Sequence, residues 1–390
     1  MAKAQRRKTH KITERPPFDC IALLLQGGGA LGAYQCGVYE GLVEAGIMPD
    51  WVAGISIGAI NAALIAGNAP EHRVERLRQF WQEITTQPML DWTADFGAAL
   101  IRGDMARASL NQASASIAMT AGVPGFFAPR FPPAWANPDG TREAISYYET
   151  RELKATLERL IDFDRINAGP MRLSIGAVNI TSGNFVYFDS ETHRIGSEHV
   201  MASGALPPGF PPVEIDGQFY WDGGLVTNTP LQWVVESGVR QDTLAFQVDL
   251  WNARGSLPRN LAEVETRRKE IQFSSRTRAS TDQIKRMQQL RCALATLLEK
   301  LPEQLRHSNE VGVLSDVADH KVYSIVHLIY RTQNYEGNSK DYEFSRLSME
   351  EHWRAGLQDA ICTLRHPRVL RRPESKDGVA TFDFHVDGTE

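Results

Sequence analysis

The chain has 390 residues, of which 42% are hydrophobic and 23% charged, as in an ordinary globular protein with a sizeable core. Its formal net charge of −5 argues against a nucleic-acid-binding protein. Four scattered cysteines form no Cys-x-x-Cys pair, so they indicate neither a disulfide framework nor a metal site and favour a reducing compartment.

The N-terminal residues 1–17 are basic but lack the apolar stretch of a signal peptide. No run in the chain approaches the roughly 18 apolar residues of a membrane span. We therefore expect a disordered basic arm on a cytoplasmic protein. A weak attraction of this arm to anionic lipid, with peripheral membrane contact, is the alternative.

The next segment alternates strands and helices. "IALLLQ" leads through "GGGALG" into a helix, and "WVAGI" leads through a tight turn into a second helix. This alternation predicts crossover helices around a mostly parallel sheet.

The glycine loop after the first strand has two interpretations. Gly27, Gly29 and Gly32 spell G-x-G-x-x-G, which in a dinucleotide site requires an acidic residue at the end of the second strand. Asp50 has about the right spacing but precedes that strand. The sequence therefore disfavours a dinucleotide site.

The turn after the second strand carries the stronger signal. Gly54 to Gly58 reads G-I-S-I-G between a strand and a helix, which is the context of a nucleophile elbow. The positive end of the following helix favours negative charge at Ser56. If Ser56 attacks an ester, the backbone N–H groups of Gly28 and Gly29 are placed to stabilise the oxyanion.

Residues 87–148 are irregular and contain "GVPGFFAPRFPPAWANPDG". Such a segment is a lid over a binding site or a disordered insert. Beyond it, "TRELKATLERLIDF" predicts an amphipathic helix. Two hairpins are predicted, turning at Ser182–Gly183–Asn184 and Asp216–Gly217, and a strand in "TLAFQVDLW" closes the first domain.

A base to partner Ser56 is less clearly marked. Asp222 directly follows a strand and precedes Gly223 and Gly224, although the same pattern occurs in ordinary Asp-Gly turns. A Ser–acid–His order would instead require a late histidine. None of the candidates stands in a turn typical of a catalytic base: His307, His320, His327, His352, His366 and His385.

The C-terminal region predicts helices around one strand, "KVYSIVHLIY". An apolar stripe from Ile284 to Leu301 indicates a helix packed on the core, or else a dimer seam or membrane-facing surface. Ser348 and Glu351 have the spacing of a capping box at the start of a further helix.

Four motifs together resemble the patatin-like phospholipase family: "GGGALG", "GISIG", "ASGALPPGFPPV" and "DGG". The resemblance implies a three-layer α/β/α sandwich over residues 18–255 and a mainly helical α+β extension over 256–390. The possible lid in 87–148 rests on composition and position alone. It also implies a Ser56–Asp222 dyad without histidine, and neither metal nor cofactor. The glycines have two implied roles: an oxyanion hole (Gly27, Gly28, Gly29) and support of the turns (Gly32, Gly54, Gly58, Gly223, Gly224).

The leading functional hypothesis is a serine hydrolase of lipid acyl esters. The alternatives are a hydrolase or acyltransferase for other acyl groups, such as thioesters or storage polyesters, and an inactive lipid-binding scaffold. The expected partner is the acyl-ester substrate, not nucleic acid, and a homo-oligomer stays open.

Overall fold

The computed structural model describes residues 7–85, 104–237, 240–274, 277–333, 335–374 and 378–384. The strands of this part are β1 (Cys20–Leu25), β2 (Trp51–Ile55), β3 (Ala128–Pro129), β4 (Tyr148–Glu149), β5 (Arg172–Asn179), β6 (Phe185–Asp189), β7 (Val213–Ile215), β8 (Gln218–Asp222), β9 (Thr243–Asp249), β10 (Tyr323–Ile329) and β11 (Val379–Asp383). Its α-helices are α1 (Ala33–Ala45), α2 (Ile57–Ala66), α3 (Arg73–Glu83), α4 (Asp104–Ala121), α5 (Arg151–Leu160), α6 (Phe163–Ala168), α7 (Ser197–Ser203), α8 (Leu231–Glu236), α9 (Leu261–Phe273), α10 (Thr277–Glu299), α11 (Asn309–Val317) and α12 (Arg346–Leu364).

Nine of the described strands form one sheet in the order β11-β10-β9-β1-β2-β5-β8-β7, with β6 also paired to β5. The pairs from β11 to β5 are parallel, and the pairs that β5 makes with β6 and β8 are antiparallel. All six residues of β1 are buried, as expected of a central parallel strand covered on both faces.

Alternate side chains of β1 enter two separate cores. Leu23 packs in the larger core with α1, α2 and α12, whereas Leu24 packs in a second core with α8 and α10. Successive strand residues point to opposite faces of a sheet, so helices cover both faces. The predicted three-layer α/β/α sandwich is confirmed.

The C-terminal region is built into this sandwich. β10 pairs with β9 from Tyr323 opposite Thr243, and β11 extends the sheet beyond β10. Helix α12 lies directly on α1. A Cβ at Gly37 would overlap the Trp353 carbonyl oxygen, and a Cβ at Gly356 would overlap the Tyr34 carbonyl oxygen. Residues 256–390, predicted as an α+β extension, therefore contribute two strands and a core helix to the same sandwich as the preceding residues.

Most locally predicted elements are present. Both predicted hairpins occur as β5–β6 and β7–β8, and the second turns through Asp216 and Gly217 with φ angles of 49° and 74°. The helix predicted to begin near Ser348 begins earlier, because Ser345 caps it by accepting a hydrogen bond from the Ser348 N–H group. Two nearby serines could each cap this helix, and the more N-terminal one, Ser345, forms the N-cap.

The apolar stripe of α10 is only partly covered. Ile284 is buried, but Met287, Leu290 and Leu297 are exposed. The expectation that the whole stripe packs on the core is wrong at these three positions. The face that packs inward instead includes Gln288, whose amide donates to the Lys321 carbonyl oxygen at 2.8 Å.

The N-terminal arm, expected to be disordered over 1–17, lies against the domain in its described part, 7–17. The Arg7 N–H group donates to Arg365 O at 2.8 Å, and that of Ile12 donates to Ala45 O at 3.0 Å. Among the described residues, no helix has both the length and the apolar content needed to cross a membrane.

Candidate active site

Ser56 stands on the tight turn between β2 and α2. Its φ of 57° and ψ of −127° are unusual for a residue with a side chain and are typical of strained functional turns. The turn is closely packed, since a Cβ at Gly54 would overlap the Gly58 carbonyl oxygen and a Cβ at Gly58 would overlap Leu25 O. These two glycines allow the sharp turn that the sequence predicted.

The register of β5 brings Asp222 next to this turn. Ile55 of β2 lies opposite Gly176, and Asp222 of β8 lies opposite Ala177, the next residue of β5. Strand β6 occupies the other edge of β5 along the same stretch, so β2 and β8 share one edge and meet end to end. Ser56 and Asp222 are thereby brought together, as the resemblance implied.

The Asp222 carboxyl group is buried, with 2% of the residue exposed. Burial raises its pKa from 3.8 to about 7, although the neighbouring Ser56 hydroxyl and Gly224 N–H groups favour the charged form and oppose the rise. The Gly224 N–H group donates to Asp222 Oδ1 at 2.7 Å. A carboxylate with this pKa is a much stronger proton acceptor than an exposed one.

The glycine loop presents two free donors to the same cavity. Gly28 and Gly29 line the cavity with Ser56, and no acceptor within the described residues takes their N–H groups. Gly29 has a φ of +55°, which favours glycine. The Gly27 N–H group, however, donates to Asn228 Oδ1 at 3.1 Å. Gly27, included among the expected donors, is therefore engaged elsewhere, and Gly28 and Gly29 are the available pair.

The other predicted glycines permit close packing around the site. A Cβ at Gly32 would lie 2.6 Å from Ile57 Cγ1, so this glycine lets the loop approach the start of α2. A Cβ at Gly223 would lie 2.7 Å from the Gly176 carbonyl oxygen. Both contacts keep the three segments of the site within reach of one another.

A cavity of about 520 Å³ opens beside Ser56, which is a typical volume for a small-molecule site. Phe126 and Phe127 of the predicted lid line it and are buried, whereas Phe131 and Trp135 are exposed. Residues 86–103 of the expected lid lie outside the described part of the chain.

Two side chains at the site were not singled out from the sequence. Ser203 Oγ accepts from the Ser56 N–H group at 2.9 Å and donates to Gly176 O at 2.6 Å. The Asn228 amide holds Gly27 at both ends: its oxygen accepts from the Gly27 N–H group and its nitrogen donates to the Gly27 carbonyl oxygen. Ser203 lies inside the "ASGALPPGFPPV" motif, which was the available signal; nothing in the sequence marked Asn228 beyond its position shortly after "DGG".

Five of the six late histidines fall in the described part of the chain, and none of these five lines this cavity. His352 is buried against Glu336, with Nε2 and Oε1 2.6 Å apart. His320 contacts Glu299, His327 faces Asp249, and His366 stacks on Phe384. His385 lies outside the described residues.

Family comparisons match two parts of the chain. The model described as "Patatin-like phospholipase" matches residues 23–234, more than half of the chain. A second model, described as "Patatin phospholipase", matches residues 271–376.

Curated relatives match over shorter stretches. The chain is 47% identical over 60 residues to "Lysophospholipase nte1" of Aspergillus terreus, covering 15% of this chain and 4% of that protein. It is 41% identical over 78 residues to human "Patatin-like phospholipase domain-containing protein 6", covering 19% and 6%. The chain therefore matches only a small part of these relatives' length. Among solved structures, VipD from Legionella pneumophila aligns with a TM-score of 0.37 and 14% identity, over 93% of this chain and 71% of that one.

Proposed function

Since the chain belongs to the patatin-like phospholipase family, we propose that it hydrolyses lipid acyl esters, with Ser56 as the nucleophile and Asp222 as the general base. The observation that carries this proposal is that Ser56, on its strained turn, and the buried Asp222 carboxyl group line one cavity and meet along the same edge of β5. A serine on such a turn beside a proton acceptor is the arrangement that nucleophilic catalysis requires.

In the proposed reaction, Asp222 accepts the Ser56 proton as the hydroxyl oxygen attacks the ester carbonyl carbon. The tetrahedral oxyanion accepts hydrogen bonds from the Gly28 and Gly29 N–H groups, which have no other acceptor among the described residues. Asp222 then donates the proton to the leaving alcohol, and an acyl-Ser56 ester remains. Water, deprotonated by Asp222, attacks this ester, releases the fatty acid and restores Ser56.

A carboxylate is suited to this role without a third residue. It has no tautomers that must be selected, unlike histidine, and Gly224 holds one of its oxygens at 2.7 Å. Its raised pKa of about 7 offsets the weakness of an ordinary carboxylate as a base.

The lining of the cavity supports an acyl chain as the bound group. Besides Phe126 and Phe127, aromatic side chains from distant segments surround it, including Tyr148, Phe210 and Phe344. Phe127 contacts Phe210 with ring centroids 5.3 Å apart. An apolar pocket of this kind binds hydrocarbon through the hydrophobic effect.

The test compares the wild-type protein with Ser56→Ala on a short p-nitrophenyl ester, on a long-chain phospholipid and on an acyl thioester. We expect Ser56→Ala to lower kcat by several powers of ten, as loss of a nucleophile does, with an unchanged melting temperature. Activity of the variant within about tenfold of wild type would exclude Ser56 as the nucleophile. An inactive wild-type protein would favour the scaffold alternative, and turnover of acyl thioesters alone would favour the other acyl substrates.

A further inference from the structure

Helix α9, from the C-terminal region, contacts the glycine loop indirectly at both of the loop's ends. At the upstream end, Asn228 Nδ2 donates to Gly27 O at 3.0 Å and to the carbonyl oxygen of Phe273, the last residue of α9, at 2.9 Å. At the downstream end, the Ala30 N–H group donates to Asp341 O at 2.8 Å. The free N–H groups of Gly28 and Gly29 lie between these two fixed points.

Asp341 is itself held by α9. Lys269 Nζ lies 2.8 Å and 3.0 Å from the two carboxylate oxygens of Asp341 and 2.9 Å from Asn338 O. All three protons of the ammonium group therefore have an acceptor on the segment that holds Ala30. Both side chains of this ion pair are about four-fifths buried, where charges interact more strongly than at the surface.

A second ion pair joins the same two segments, but here the loop supplies the lysine and α9 supplies the carboxylate. Lys340 Nζ lies 2.9 Å from Glu270 Oε1 and 2.6 Å from Thr332 Oγ1. Lys340 and Glu270 are the chain neighbours of Asp341 and Lys269, so consecutive residues of α9 bind consecutive residues of the loop. This double pairing fixes the position of the Asp341 backbone along α9.

The Asp341 backbone also lies against Gly29, since a Cβ placed on Gly29 would overlap the Asp341 carbonyl oxygen. Any shift of Asp341 therefore moves or releases the peptide groups next to Gly29. Oxyanion donors must be placed before the reaction, because their contribution depends on distance and orientation at the moment charge develops.

We infer that the C-terminal region completes the oxyanion site, with Lys269 as a positioning residue that holds Gly28 and Gly29 in place through Asp341. The inference rests on the proposed function and assigns a part in it to a region outside the segment that the main family model matches. Lys269 acts on the geometry of the N–H donors; it does not exchange protons with the substrate.

The test replaces Lys269 with Met, which keeps the length of the side chain and removes its charge. We expect kcat to fall at least about tenfold with KM nearly unchanged, because loss of an oxyanion donor costs on the order of a hundredfold or more. A trifluoromethyl ketone, which forms an oxyanion on the nucleophile, should bind more weakly by the same factor. Lys269→Arg should recover most of the loss, and Lys269→Met combined with Asp341→Asn should cost little more than either change alone.

Lys321→Met is the matched control. Lys321 also pairs with an aspartate, Asp19, at 3.2 Å and joins the C-terminal region to the start of the sheet, but it does not line the cavity. We expect wild-type kcat and inhibitor affinity from it. An active wild type whose Lys269→Met variant keeps its kcat and inhibitor affinity would overturn this inference alone. So would equal losses in the control, which would indicate a general effect on the fold. An inactive wild-type protein would overturn the proposed function, and this inference with it.

Discussion

Replacing Asp222 with Asn should abolish activity and yet stabilise the protein at alkaline pH. The amide keeps the shape of the carboxyl group, and its oxygen can still accept the hydrogen bond from the Gly224 N–H group. It cannot accept the Ser56 proton, so we expect a loss as large as that of Ser56→Ala. The double variant should lose little more, because the two residues act as a unit.

The gain in stability follows from the pKa of Asp222, which burial raises from 3.8 to about 7. The folded protein binds this proton more tightly than the unfolded chain. The tighter binding of this proton therefore stabilises the folded state fully below about pH 4, and this stabilisation is lost as the pH rises through about 7. The shift corresponds to about 4 kcal/mol of unfolding free energy at high pH, which the uncharged Asn does not lose.

Urea unfolding at pH 5 and pH 8 measures this difference. We expect the Asn variant to be more stable than wild type by a clearly larger margin at pH 8 than at pH 5. In wild type, kcat/KM should rise about tenfold per pH unit up to about pH 7 and then level off, since only the carboxylate acts as a base. A margin that does not change with pH, together with a flat rate profile, would refute the assignment of a raised pKa to Asp222.

Three further predictions concern the surroundings of Ser56 and Asp222. Ser203→Ala should cost about 1–3 kcal/mol of unfolding free energy and lower kcat, because it leaves the Ser56 N–H group and the buried Gly176 carbonyl group without their partner; equal stability by urea unfolding would contradict this. Phe127→Ser should raise KM for long-chain esters far more than for short ones, because the ring lines the cavity; equal effects on both would assign it a purely structural role. His320→Ala should keep wild-type turnover, because this side chain lies outside the cavity against Glu299; an inactive but folded variant would restore a Ser–His mechanism.

Local features of the site follow from the sequence because they depend on neighbours in the chain. The turn at Ser56 requires small residues on both sides, and Gly54 and Gly58 are visible as a pattern. The buried strand β1 and the hairpin turn at Asp216–Gly217 are likewise local, since hydrophobic runs and left-handed turns are set by residue type.

The pairing of Ser56 with Asp222 depends on the tertiary structure. The two residues meet because β2 and β8 share one edge of β5 at Gly176 and Ala177. Strand register between distant segments is decided by packing across the whole sheet, so residue types near Asp222 could suggest an Asp-Gly turn as readily as a base. The family resemblance, and not the local pattern, favoured the base.

The role of the C-terminal region was also beyond local reasoning. Its helices and its central strand could be predicted from periodicity, but nothing in the pattern indicated that β10 would pair with β9 or that Asp341 would hold Ala30. Lys269 and Asp341 are ordinary charged residues in the sequence, where a solvated surface is the usual expectation. The sequence by itself determined the elbow, the glycine loop and most of the helices and strands; the tertiary structure decided which distant groups meet there, because burial and strand pairing join residues that the chain keeps far apart.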